Sequence, residues 1–281
     1  MRYRKGDPLV RISPLRRLIG DMLVVLICAI GWPLSRALYR IEIERGGARN
    51  SGAMLPRGGC TEWSRGCALP RRAILVSNHC MPLDPLFHSM AILPRRTFYT
   101  LLEETCEAPL LGSFVRILGG IPLPRSGSRL EDIEGAVAYG LRTRGFAHFY
   151  PEGECFLGNQ RILPFKAGAA YFAIKFAVPV VPIVTVLRRA HGPRSKLIRV
   201  AIRVLPPVEP PNLRPALAPL RAGILPSLPE GAADSSARAL LVASIRFTRK
   251  IHDSMQAEIE RAGGDPSLYR GPMPRIRGVN D

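Results

Sequence analysis

The sequence predicts an α/β fold: a mixed, largely parallel sheet flanked by helices, preceded by an N-terminal membrane-associated helical segment. Three observations carry that expectation. Between residues 73 and 205, short apolar runs of the kind found in buried strands alternate with stretches whose apolar residues recur at helical spacing. Near the N-terminus an uncharged run, Met22 to Leu34, lies between clusters of arginine. The chain has 281 residues, 47% of them apolar, with a mean hydropathy near zero. That is enough to build a sizeable core, and it excludes both a disordered chain and a polytopic membrane protein.

The elements follow in order. The thirteen residues from Met22 to Leu34 fall short of the ~20 that a spanning helix needs, and Gly31 and Pro33 interrupt helical geometry. Residues 1–44 are therefore expected to anchor the chain as a helix-break-helix lying in the membrane interface, with a single membrane span and a buried core helix as the alternatives. Arg11, Arg16 and Arg17 before the run and Arg36 and Arg40 after it would face anionic headgroups. Trp32, Pro33 and Leu34 close the run where a cleaved signal would carry small residues. Residues 45–72, rich in Gly, Arg and Pro, read as a loop or insertion. A catalytic core follows over 73–205. It holds strands at 73–77, 97–101, 146–150, 178–187 and 197–205, and helices at 85–93, around 130–141 and at 166–176. Residues 206–233 form a Pro- and Leu-rich loop. A C-terminal helix at 235–261 carries Leu240, Leu241, Ile245, Ile251, Met255 and Ile259 as its apolar positions.

A formal charge of +18, nearly all from arginine, predicts attraction to a polyanion. An anionic membrane surface is the expected partner, and nucleic acid is not. The arginines are spread along the chain rather than gathered with aromatics on one face, and the two densest stretches, 67–72 and 188–199, suit docking to lipid equally well. The alternative is a basic membrane-surface or nucleic-acid-binding protein without catalysis. Six scattered cysteines, none in a CxxC pair, suit free thiols in a reducing compartment, and Cys60 and Cys67 are read as loop residues rather than metal ligands. The expected location is the cytoplasmic face of the inner (plasma) membrane.

The densest chemistry starts where the first core strand ends, at Val76-Ser-Asn-His-Cys-Met-Pro-Leu-Asp-Pro85. Pro82 discourages helix at Met81, and Pro85 suits the first helical position, so Asp84 is expected to cap a helix. The turn between them lets Asp84 reach back to His79, leaving the other imidazole nitrogen to take a proton from a hydroxyl. A second turn, Phe149-Tyr-Pro-Glu-Gly153, also follows a strand; its backbone amides are expected to face an anion, with Glu152 at its apex. Lys166, at the expected start of the next helix, is placed to meet a phosphate or thioester, and Arg125 follows a short strand at 119–124. Rival chemistries lack their parts. Cys80 adjoins His79 in sequence, where side chains seldom point at each other, and no G-x-S-x-G elbow for a serine hydrolase occurs.

These blocks, in this order, resemble the glycerolipid acyltransferases of the lysophosphatidic acid acyltransferase type. The matching blocks are Asn78-His79-x4-Asp84, Gly120 to Arg125, Phe149-Tyr-Pro-Glu-Gly153 and Val180-Val-Pro-Ile183, joined by Lys166-x-Gly168. The resemblance covers residues 70 to 205. It implies that His79 is the general base and that Asp84 orients it. Asn78, Arg125, Glu152, Gly153 and Lys166 would bind the substrate. The donor would be acyl-CoA or acyl-carrier protein, the acceptor a lysophospholipid, with no bound cofactor and no metal. After Pro-Glu-Gly the family usually carries Thr-Arg-Ser, whereas Glu154, Cys155 and Phe156 stand here. That departure weakens the expectation of phosphate-monoester recognition. The acceptor is expected to be lysophosphatidic acid or a related lysolipid, with another lysophospholipid or a lyso-aminolipid in place of lysophosphatidic acid left open.

Overall fold

Seven strands form one sheet in the order β1-β8-β7-β2-β5-β3-β4, as seen in a computed structural model that describes residues 3–4, 7–10, 13–45, 69–123, 130–190, 197–213 and 232–274. The strands are β1 (Glu42–Arg45), β2 (Ala73–Ser77), β3 (Phe98–Leu102), β4 (Gly120–Leu123), β5 (Phe146–Phe149), β7 (Val180–Arg189) and β8 (Ile198–Val204). All pairings are parallel except β7 with β8. The expected mixed, largely parallel sheet is thus observed. The expected loop at 45–72 and the Pro-rich stretch at 206–233 lie mostly outside the described residues, as do Cys60, Cys67 and Arg125.

Strand alternation sorts the core into two layers. Ala73 and Leu75 of β2 point to one face, where they meet α2 (Asp84–Ile92) through Phe87 and Met90. Ile74 and Val76 point to the other. There they meet α5 (Leu130–Thr143), α6 (Gly168–Phe176) and the long C-terminal α7 (Ala232–Arg261). Helix α7 buries Leu240, Phe247, Ile251, Met255 and Ile259. Leu241 and Ile245, expected inside, are 56% and 51% exposed, because the buried stripe runs 240-244-247-251-255 with the small Ser244 at its centre. Two short helices, α3 (Glu103–Glu107) and α4 (Leu111–Leu118), connect β3 to β4.

The N-terminal segment departs from expectation. Helix α1 runs unbroken from Pro14 to Tyr39, 26 residues or about 39 Å, straight through Gly31 and Pro33. By length and composition it could cross a membrane, yet it also packs on the domain. A Cβ at Gly20 would sit 2.1 Å from the Ile117 carbonyl oxygen of α4, and one at Gly31 would sit 3.1 Å from Leu86 and Met90 of α2. Glycine lets the backbones meet at the first place and makes room for the α2 side chains at the second. Asp21 adds an ion pair to the nearly buried Arg144 at 2.7 Å. This docking holds the helix through the proline, whose missing N–H leaves the Ala29 carbonyl without its usual partner. Just past the helix, β1 joins the sheet edge beside β8.

Beyond β5, the two-residue strand β6 (Phe156–Leu157) pairs antiparallel with β9 (Gly271–Pro272) near the C-terminus. The C-terminal segment thereby folds back over the loop that follows β5.

Candidate active site

The C-terminal ends of the parallel strands β2 and β5 carry the densest polar chemistry, at the edge of a sheet where α/β proteins commonly place their ligands. Ser77 closes β2, and the chain then turns through Asn78 to Leu83 before α2 begins. Asp84 is the first residue of α2 rather than its cap; Leu83 holds that position and makes no side-chain cap. The carboxylate is instead drawn back over the turn. Its Oδ2 accepts from the backbone N–H of Cys80 at 2.7 Å and Met81 at 2.8 Å, and from His79 Nδ1 at 2.9 Å. Its Oδ1 accepts from the Thr185 hydroxyl at 3.1 Å. The N–H groups that a capping Asp84 would bind, those of Leu86 and Phe87, are already bonded to the Leu83 carbonyl at 3.0 and 3.1 Å.

The His79–Asp84 pair therefore has the geometry of an oriented base. Asp84 is fully buried while the imidazole is 19% exposed. With a carboxylate accepting at Nδ1, the proton resides there, and the lone pair is left on Nε2. The ring lies flat against Tyr150, centroids 4.2 Å apart and planes 26° from parallel. Stacking and the Nδ1 bond together fix both the plane and the rotation of the imidazole.

The remaining expected site residues divide. Asn78 donates to the Thr185 carbonyl at 3.0 Å and accepts from the Thr185 N–H at 2.9 Å, fully buried. Glu152 accepts from the N–H of His79 at 3.0 Å through Oε1 and from that of Leu163 at 3.1 Å through Oε2. Burial raises its pKa above the usual carboxylate value, with those two bonds and His79 acting the other way. Both side chains brace protein backbone around the end of β2. In the Pro-Glu-Gly turn, the Gly153 amide closes onto the Tyr150 carbonyl at 3.0 Å and is not presented to an anion. Gly153 has φ +87°, and a Cβ there would lie 2.6 Å from Lys166 Nζ. Glycine is needed for the backbone and to let the lysine lie across the turn. Lys166 precedes α6 by two residues, exposed, tied by its own N–H to the Pro151 carbonyl.

The Glu154-Cys155-Phe156 departure also acquires a structural reason. Phe156 N–H bonds to the His79 carbonyl at 2.8 Å and Gly158 N–H to that of Cys80 at 2.9 Å. On its other side the segment pairs with the C-terminus, as Arg270 N–H bonds to the Leu157 carbonyl and Met273 N–H to that of Cys155. This stretch leads into β6, which lies between the 78–83 turn and the C-terminal segment. Buried Cys155 has its thiol pKa pushed up to about 12, chiefly by burial and then by Asp84 and Glu152, which leaves no thiolate nucleophile at neutral pH.

Sequence reading missed a second layer of polar residues beneath the pair. His88 and His148, both fully buried, join Ser77, Thr185 and Tyr150 in a hydrogen-bonded cluster. His88 stands four residues after Asp84 on the same helix, a spacing that signals a shared face. Thr185 is the one polar residue in the otherwise apolar run from Val180 to Leu187. Burial lowers both histidines to about 3; Asp84 opposes this at His88, and the neighbouring imidazoles add to it. An unfolded chain titrates these groups near the ordinary 6.5, so the unfolded state binds more protons below that pH. The stability they permit is complete above pH 6.5 and is lost as pH falls toward 3, by about 1.4 kcal/mol per unit for each. Between pH 7 and 5.5 the folded state should lose about 2–3 kcal/mol, read as a falling urea midpoint, and His148→Asn should roughly halve the slope. A midpoint independent of pH over that window would contradict the burial of two neutral imidazoles.

Comparison with known proteins places the chain among its relatives. Residues 64–186 match the family model described as Acyltransferase, a span that contains both turns and the end of β2. A 1-acyl-sn-glycerol-3-phosphate acyltransferase of Limnanthes alba is 28% identical over 203 residues, 66% of this chain and 70% of that protein. The 1-acyl-sn-glycerol-3-phosphate acyltransferase alpha of Bos taurus is 32% identical over 156 residues, 53% of each chain. The crystal structure of the 1-acyl-sn-glycerophosphate (LPA) acyltransferase PlsC from Thermotoga maritima superposes with a TM-score of 0.52, covering 89% of this chain and 84% of that one, at 16% identity. That last likeness bears on the fold.

Proposed function

The chain belongs to the acyltransferase family and is an O-acyltransferase, and from that premise we propose that it esterifies the free hydroxyl of lysophosphatidic acid with the acyl group of a thioester donor, acyl-CoA or acyl-carrier protein. The observation that carries the reading is His79, 19% exposed, held at Nδ1 by a fully buried carboxylate. Nε2 takes the hydroxyl proton as the oxygen attacks the thioester carbonyl carbon. The new C–O bond forms, the C–S bond breaks, and the departing thiolate receives the proton from the imidazolium. Asp84 stabilises that imidazolium and holds the ring in the tautomer that leaves Nε2 unprotonated beforehand. The acceptor hydroxyl is itself the nucleophile, so no covalent enzyme intermediate is required. Lys166 and Arg125 are the cations proposed to receive the acceptor's phosphate, and Glu152 and Gly153 shape the turn that carries Lys166.

The reaction is proposed to take place at a membrane surface. The outer side of α1 presents Leu15, Leu18, Met22, Leu26, Ile30, Leu34 and Leu38 at steps of three and four, each more than half exposed. Leu110, 89% exposed, and Phe114 continue the apolar surface on the neighbouring α4. A stripe of this kind, flanked by arginines, lies in the headgroup boundary while the opposite face holds the domain. The support for this reading is the exposed stripe on a helix whose small residues are seated on the catalytic layer.

One experiment tests both parts. Full-length protein is mixed with anionic vesicles containing lysophosphatidic acid and a labelled acyl-CoA, then floated on a density gradient. Phosphatidic acid and protein should rise together, and Leu18→Ser with Met22→Ser and Leu26→Ser should leave the protein in the dense fraction. Absence of any acylated product with lysophosphatidic acid or other lysophospholipids would reject the catalytic reading. Flotation of the triple variant equal to that of the unmodified protein would reject the role of α1. Steeply salt-dependent binding to nucleic acid in place of vesicles would favour the non-catalytic alternative.

A further inference from the structure

We propose that Thr185 and His88 are positioning residues for the transfer reaction, forming with Tyr150 a neutral clamp that closes around the His79–Asp84 pair. The inference rests on the proposed catalytic role of that pair. It follows from assigning each proton. Asp84 Oδ1 can only accept, so the Thr185 hydroxyl, 3.1 Å away, gives its single proton there. Thr185 Oγ1 must then accept from His88 Nε2, 2.8 Å away, which fixes the proton of His88 on Nε2. His88 Nδ1 is left as an acceptor and lies 3.0 Å from the Tyr150 hydroxyl and 3.2 Å from that of Ser77. The Tyr150 ring stacks on His79 at 4.2 Å, and His79 bonds back to Asp84. The circuit is closed: the carboxylate is held from one side by a hydroxyl, the imidazole from the other by an aromatic face, and His88 joins the two.

The clamp's neutrality matters. A lysine or arginine bonded to Asp84 would compete with His79 for the carboxylate's charge and make the base weaker. Buried His88, which stays uncharged, supplies direction without a competing charge. The clamp's members, His88, Thr185 and Tyr150, come from α2, β7 and the residue after β5, so the clamp also fixes how those elements meet at the site.

The test compares steady-state kinetics of Thr185→Val and Thr185→Ser with those of the unmodified enzyme. Valine keeps the volume and removes the hydroxyl; serine restores it. Thr185→Val should lower kcat about tenfold with both KM values within about twofold, since orientation is lost and binding is not. Thr185→Ser should recover at least half of kcat. Should Thr185→Val fail to fold, Tyr150→Phe decides, because it keeps the stacked ring and removes the hydroxyl that reaches His88; it should lower kcat three- to fivefold at unchanged KM. Thr185→Val with kcat within twofold of the unmodified enzyme would overturn the clamp, as would Thr185→Ser as impaired as Thr185→Val. If the unmodified enzyme transfers no acyl group, the underlying reading of the pair fails instead.

Discussion

Replacing His79 by alanine is expected to lower acyl transfer by about 10²–10⁴-fold while leaving the fold in place. The fold should survive because the imidazole is one of four groups donating to Asp84. The N–H groups of Cys80 and Met81 and the Thr185 hydroxyl remain to satisfy the buried carboxylate. His79 also braces the site through its backbone, to Glu152 and Phe156, and alanine keeps those bonds. What disappears is the nitrogen that receives the proton. Transfer from acyl-CoA to lysophosphatidic acid, measured beside a thermal melt, checks both halves. Full activity in a folded variant would remove His79 from the mechanism.

Asp84→Ala should be damaging in a different way, costing stability as well as activity. The substitution leaves the Cys80 and Met81 N–H groups and the Thr185 hydroxyl without their acceptor, in a region where Asp84 itself has no exposure. Each stranded buried donor costs about 1–3 kcal/mol, and some relax onto water, so a loss of about 3–5 kcal/mol is expected. Asp84→Asn separates the two effects. Its carbonyl oxygen can keep the turn, and its NH₂ group can donate to Thr185 Oγ1, so the protein should remain folded. The charge that stabilises an imidazolium is gone, and transfer should still fall by about 10²-fold or more. A chemical-denaturation curve and an activity assay on both variants provide the check. An Asp84→Ala protein as stable as the unmodified one would contradict the hydrogen-bond pattern, and an active Asp84→Asn would contradict the electrostatic role.

What could be read from the sequence depended on how local the governing physics was. Strands β2, β5 and β7 were legible because largely apolar runs bounded by turn residues state their own burial, and β8 because its apolar residues are interrupted only by Arg199 and Arg203. The approach of His79 to Asp84 was legible too, since two prolines constrain the turn between them. The detail was not: a cap was expected of Asp84, whereas the helix starts one residue earlier, the Leu83 carbonyl takes the N–H groups of Leu86 and Phe87, and the carboxylate folds back over the turn. Helix α1 was expected to break at Gly31 and Pro33. It continues because Gly20 and Gly31 allow close packing on α4 and α2, a tertiary contact that local propensity does not contain. Asn78 and Glu152 looked like substrate ligands by their neighbours in sequence. Their partners, Thr185 and Leu163, are 107 and 11 residues away, and only the folded chain brings them to the same place. Thr185 and His88 lay in plain view, one as a hydroxyl in an apolar strand and one a helical turn from Asp84. Neither announces a role until β7 and α2 meet. The pairing of β6 with β9 was invisible, since two-residue strands carry no periodicity.

The general-base assignment of His79 meets its most direct test in a single-turnover measurement on His79→Gln. Glutamine can still donate to Asp84 but offers no titratable nitrogen to the acceptor hydroxyl. Enzyme is loaded with labelled acyl-CoA and mixed with lysophosphatidic acid in vesicles, and donor binding is measured separately. Donor affinity within about threefold of the unmodified enzyme, with the chemical step slowed by about 10²-fold or more, is the predicted result. A chemical step within tenfold of the unmodified rate would show that the proton leaves by another route.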